Sequence, residues 1–157
     1  MEEKEKIRMR NLKFFVIPLF LFPLIIVLVG KILLLGNFLP IVENYEEEKI
    51  KIVQMFLYFL GIGIFFFCNG FSDFISKRLF LNKKETMEKV NSYYAYTITM
   101  FGFLNLISIC GFIGFLICRN FAWLVTFSII NFGSIFPYFP TEKRFKNKIE
   151  KFSSEQS

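Results

Sequence analysis

Four long stretches of this chain carry no charge, and the charges crowd into the intervals between them. Phe14 to Gly30 is uncharged for 17 residues, Ile52 to Ser72 for 21, Val90 to Cys118 for 29 and Asn120 to Thr141 for 22. Reading through the single Lys31 extends the first stretch to Gly36. Within each stretch the apolar residues run continuously instead of alternating with polar ones, which excludes the strands of a membrane barrel. A helix needs roughly 20 such residues to cross the hydrocarbon core. The pattern predicts an all-α integral membrane protein, a four-transmembrane-helix bundle with spans over residues 13–36, 52–76, 92–118 and 120–139. Little more than Arg119 and Asn120 separates the last two spans, so helices 3 and 4 must form a tight antiparallel hairpin. Residues 1–152 then make one membrane domain with short tails, and the polar end, 153–157, is expected to be disordered. The first span starts like a signal peptide. Its apolar core is longer than the usual 7–15 residues and no small-x-small site follows, so an uncleaved span is expected.

Smaller features fill in this picture. Pro18 and Pro23 should bend the first span, because each removes a backbone donor. Trp123 and Tyr45 fall near one interface, and Tyr93, Tyr94, Tyr96 and Tyr138 near the other, where amphipathic rings anchor a helix. Gly102, Gly111 and Gly114 run along span 3, and Cys110, Gly114 and Cys118 form a small-xxx-small stripe suited to close helix approach.

Charge distribution sets the expected orientation. The N-terminal tail holds five Lys and Arg residues, the interval between spans 2 and 3 five more, and the C-terminal tail another five. The opposite side has Lys49, Lys51 and Arg119, with Lys31 near the end of span 1. The positive-inside rule therefore predicts cytoplasmic termini, in a multi-pass protein of the plasma membrane. The basic residues flank apolar spans, so the lipid bilayer is the expected partner, with anionic lipid at the cytoplasmic face, and nucleic acid is not. The stretch 142–152 places Phe145, Ile149 and Phe152 on one face among lysines, a pattern for an interfacial helix on anionic lipid. Phe80, Met87, Val90 and Tyr94 recur at nearly helical spacing, which predicts a helix continuing along the same surface.

Composition restricts the chemistry. The chain has no histidine, which removes Ser-His-Asp and Cys-His catalysis and every histidine-ligated metal or haem. Its three cysteines form no CxxC pair, so the usual zinc and dithiol spacings are absent. No catalytic, cofactor-binding or metal set is expected. What remains is the polar content of the spans, since polar groups in hydrocarbon are costly. Asn105 is 14 residues before Arg119 and Asn131 is 12 after it, roughly 18–21 Å from the turn at equal depth. Ser108 follows Asn105 by three and Ser128 precedes Asn131 by three, so each pair shares a helix face. The two faces are expected to meet across the hairpin, either as interhelical glue or, with Asn69, as the lining of a polar cavity. Asp73 and Lys77 have the spacing of an i,i+4 ion pair at the end of span 2. Lys31 is expected to snorkel outward near Glu43. Glu43 and Glu46 to Glu48 precede span 2, where carboxylates meet the positive end of the helix dipole.

These features favour a small polytopic protein without enzymatic activity, an accessory, assembly or immunity-type partner of another membrane protein. The alternative is a small oligomeric transporter, flippase or channel, acting by self-association. Small multidrug transporters are four-span proteins of similar size, but this chain lacks a carboxylate well inside span 1, and its basic bias opposes the mixed insertion of an antiparallel dimer. An intramembrane enzyme would need a metal or nucleophile constellation that the few Asp, Cys and Ser residues do not form.

The orientation is directly testable. Single cysteines introduced in the Glu46–Glu48 segment of a cysteine-free variant should react with an impermeant maleimide added outside cells, and cysteines at residues 83–88 should not. The opposite pattern would invert the topology.

Overall fold

A computed structural model describes residues 3–38, 47–80 and 86–154. The described residues form helix α1 (Glu3–Leu35), α2 (Glu47–Phe80), α3 (Thr86–Cys118), α4 (Phe121–Ile135), a 3-10 turn (Phe136–Tyr138) and α5 (Glu142–Ser154). Four of the helices are long and apolar enough to cross a membrane. The protein is an all-α membrane bundle. The first three expected spans coincide with parts of longer helices to within a residue, because hydrogen bonding along a helix does not stop where the hydrocarbon does. The fourth is the exception. Pro137 has no N–H to offer the Gly133 carbonyl, so α4 ends at Ile135 and gives way to the 3-10 turn.

The centre of the bundle is α3. Half of its most apolar window is buried, against 17% for α1 and 11% for α2. It packs against α1, α2 and α4, and α4 also packs on α1. By contrast, α2 lies along the far side of α3 and has most of its apolar surface uncovered, including Phe56, Phe59 and Phe66.

The end of α1 and the α3–α4 hairpin are built by helix capping. At the end of α1, Asn37 adopts a left-handed conformation (φ 51°), Asn37 N–H donates to the Leu34 carbonyl and Phe38 N–H to the Leu33 carbonyl. This is a Schellman arrangement with asparagine in the place usually held by glycine. The α3–α4 hairpin turns on Arg119, also left-handed (φ 51°), whose N–H donates to the Phe115 carbonyl over 2.8 Å. Asn120 then caps α4, its side chain accepting from Ala122 N–H at 3.0 Å. These two residues satisfy backbone groups that a helix end leaves open, so so short a connection can reverse the chain.

Close approach depends on Phe127. Its ring stacks on Trp123 with centroids 5.4 Å apart and lies 5.5 Å from that of Tyr58. Gly61 of α2 and Gly111 of α3 make room for it: a Cβ on Gly61 would come within 2.6 Å of the ring, and one on Gly111 would collide with the Phe127 side chain. Trp123, in the first turn of α4, is therefore buried among rings. The residues Phe80 and Val90 likewise point into the protein, closing the α2–α3 end, where Ser92 donates to the Leu79 carbonyl over 2.8 Å. Their helical spacing reflects bundle packing and not a separate surface helix. Glu43 and Tyr45 lie outside the described residues.

Gly111 and Gly102 provide a matched comparison. A methyl group at Gly102 would meet nothing within 4 Å. Gly111→Ala should destabilise the detergent-solubilised protein by about 1–3 kcal/mol through overpacking, and Gly102→Ala should leave its melting temperature nearly unchanged. Equal melting temperatures for the two variants would refute the role given to Phe127.

Candidate functional site

Two groups of polar residues stand out, one inside the bundle and one at its basic end. The first starts with a proline. Pro23 lies within α1 and has no N–H, so the carbonyl of Leu19, four residues earlier, loses its helical donor. The Asn105 side chain of α3 fills that vacancy, its Nδ2 donating to the Leu19 carbonyl over 3.1 Å. This contact orients everything beyond it. A carbonyl can only accept, so Asn105 must turn its NH2 toward α1, and its Oδ1 then faces α4 and calls for a donor. Asn131 supplies one, donating from Nδ2 to Asn105 Oδ1 at 3.0 Å and to Ser108 Oγ at 2.7 Å. The chain of contacts Leu19–Asn105–Asn131–Ser108 ties α1, α3 and α4 together at one depth.

All three polar side chains are buried, and Asn131 and Ser108 are fully so. Asn131 Oδ1 and Ser128 Oγ are buried with no hydrogen-bond partner. The group contains no ionisable side chain, and its asparagines bond to each other and to backbone, so chemically it can hold helices together but cannot relay a proton. Asn69 is not part of it. It lies exposed toward the other end of α2, where its Oδ1 accepts from the Tyr138 hydroxyl at 3.1 Å. Of the three asparagines, Asn105 and Asn131 therefore meet across the hairpin and Asn69 stands apart from them. Asp73 and Lys77 are exposed on successive turns of α2, and Lys31 is exposed on α1.

The second group was not legible as a site. The tyrosines expected to anchor at the interface turn inward at Tyr93 and Tyr96, and with Tyr138 they wall a recess of about 370 Å³. Ser72 of α2 and Tyr96 of α3 share a 2.6 Å hydroxyl–hydroxyl hydrogen bond. The outer wall is α5. Thr141 caps this helix, its Oγ1 accepting from Arg144 N–H at 3.2 Å. One face of α5 then meets α3: Phe145 is buried edge-on against Tyr93, centroids 5.2 Å apart, and the Lys148 ammonium sits 3.7 Å above the centre of the Tyr96 ring. Phe145 therefore packs on protein, where the sequence pattern placed it in lipid; Ile149 is half-buried, and the Phe152 side chain lies outside those described. Arg144 reaches back, its Nη1 donating to the Phe136 and Phe139 carbonyls at 2.8 Å each. Those carbonyls bracket the 3-10 turn, so Arg144 caps the end of the fourth span with charge-assisted bonds. Nothing in the spacing of Tyr93, Tyr96, Tyr138, Arg144 and Lys148 announces this gathering, because it requires α5 to fold back on α3.

Among the described residues, no three His, Cys, Asp or Glu side chains come together as a metal-binding group. Comparison with protein-family models, curated proteins and solved structures finds no match for this chain.

The internal group generates a double-mutant test. The pair Asn105→Leu and Asn131→Leu should show a coupling of roughly 0.5–1.5 kcal/mol in unfolding measurements in micelles. Pro23→Ala restores a donor to Leu19, so the cost of Asn105→Leu should shrink in that background. Strict additivity of Pro23→Ala with Asn105→Leu would rule out the link to Leu19.

Proposed function

We propose that this chain is a non-enzymatic membrane protein that works by binding another membrane protein in the plane of the bilayer, as an accessory, assembly or immunity-type partner. In this reading it resides in the plasma membrane with both termini in the cytoplasm. The supporting observation is the position of α2, which packs chiefly on α3 and leaves its other faces open. Asn105 and Asn131 bond to each other across the hairpin and no ionisable side chain joins them, which favours a structural use over a conducting path. In lipid, helices associate through close packing and not through burial from water, and small residues allow it. The open side of α2 has such a place: Gly63 lies at the floor of a groove of about 330 Å³ between Phe59, Phe67, Phe103 and Leu106. A Cβ there would meet nothing within 4 Å, so a ridge on a neighbouring helix can enter. The alternative, an oligomeric transporter, flippase or channel, would place a second copy of the chain in that groove.

Photo-crosslinking in native membranes separates these readings. A photoreactive residue at Phe67 should yield one discrete adduct with a different membrane protein, and the same residue at the exposed Leu28 of α1 should not. Adducts with lipid alone at both positions would overturn the proposal. A self-adduct alone from Phe67 would replace it with the oligomeric alternative.

A further inference from the structure

The recess at the basic end has the chemistry of a binding site, and this inference is independent of the groove on α2. Its volume, about 370 Å³, falls within the range of small-ligand pockets. Two of its lining residues, Arg144 and Lys148, are cationic, and among the described residues no carboxylate lines it. The cations are held in place. Two carbonyls fix one amino group of Arg144, leaving three of its five N–H donors uncommitted to them. The ring of Tyr96 positions the Lys148 ammonium. Asn147 and the hydroxyls of Ser72, Tyr96 and Tyr138 add neutral hydrogen-bonding groups, and the tyrosine rings with Pro137 supply an apolar wall.

We infer that this recess binds a phosphate ester, with Arg144 and Lys148 of α5 holding the phosphate and the tyrosine wall covering its organic part. An arginine fork beside a lysine point charge suits phosphate oxygens. The same chemistry is offered by an anionic phospholipid headgroup and by a soluble phosphate ester. The tyrosines belong to the ends of membrane spans, so the headgroup is the nearer source.

The test uses the full chain in phosphatidylcholine nanodiscs doped with phosphatidylglycerol, with retained lipid read by native mass spectrometry. Wild type should retain phosphatidylglycerol selectively. Arg144→Gln with Lys148→Gln should weaken retention about tenfold. The charge-matched pair Lys143→Gln with Lys146→Gln, both exposed on α5, should change it by less than about twofold. Because Arg144 also caps backbone carbonyls, Asn147→Trp provides a second variant, filling the recess while both cations remain. It should abolish retention with the melting temperature preserved. Displacement of the lipid by glycerol phosphate or inorganic phosphate would support the phosphate chemistry and admit a soluble source; resistance to both would assign the site to lipid. Equal losses from the two glutamine pairs, or undiminished retention in folded Asn147→Trp, would overturn the inference and leave only a generally basic surface.

Discussion

A backbone carbonyl in hydrocarbon has no water to turn to, and this bundle is organised around one such carbonyl. Pro23 removes the donor that Leu19 would have had. An unpaired peptide group costs several kcal/mol in an apolar medium, far more than the average interhelical hydrogen bond gains, about 0.6 kcal/mol. The satisfaction of Leu19 therefore dominates the arrangement. It draws Asn105 toward α1, sets which end of that amide faces α4, and so requires the donor that Asn131 provides. A helix defect in α1 is converted into the registration of three helices.

The rest of the interior is fitted by shape. Without a hydrophobic driving force between helices, contact area must come from interlocking. Phe127 does this between Gly61 and Gly111, with Trp123 and Tyr58 on its flanks. Rings at such separations contribute about 0.5–1.5 kcal/mol beyond their burial. The abundance of phenylalanine is used unevenly. Phe101, Phe115 and Phe127 are buried, and much of the phenylalanine on α2 faces outward.

The two ends of the molecule use different solutions. At the hairpin end, a left-handed Arg119 and a capping Asn120 reverse the chain in the shortest possible space. At the basic end, the α-helix of the fourth span stops early at a proline, and Arg144 from α5 caps the Phe136 and Phe139 carbonyls of the turn that follows. That capping bond, with Phe145 against Tyr93, holds α5 on the bundle and creates the recess as a by-product of closing the helix end.

Number and placement of the spans followed from the sequence alone, because the cost of charge in hydrocarbon is paid residue by residue and needs no tertiary partner. The equal depth of Asn105 and Asn131 was legible for a similar reason: helical rise is constant and the hairpin between them is too short to shift the register. Tertiary structure alone decided the rest. Only packing shows that the Leu19 carbonyl freed by Pro23 lies opposite Asn105, 86 residues further along the chain. Only the return of α5 onto α3 turns Phe145 from a lipid-facing residue into a buried one, and brings Arg144 and Lys148 beside three tyrosines. Asn69, polar and within a span like the other asparagines, parted from them because α2 meets the α4 chain at Phe127 through Gly61 and at Tyr138 through Asn69, which puts Asn69 past the level of Asn131. Amphipathic spacing identifies a face; it does not say whether lipid or protein covers it, and that choice is made where helices from distant parts of the chain meet.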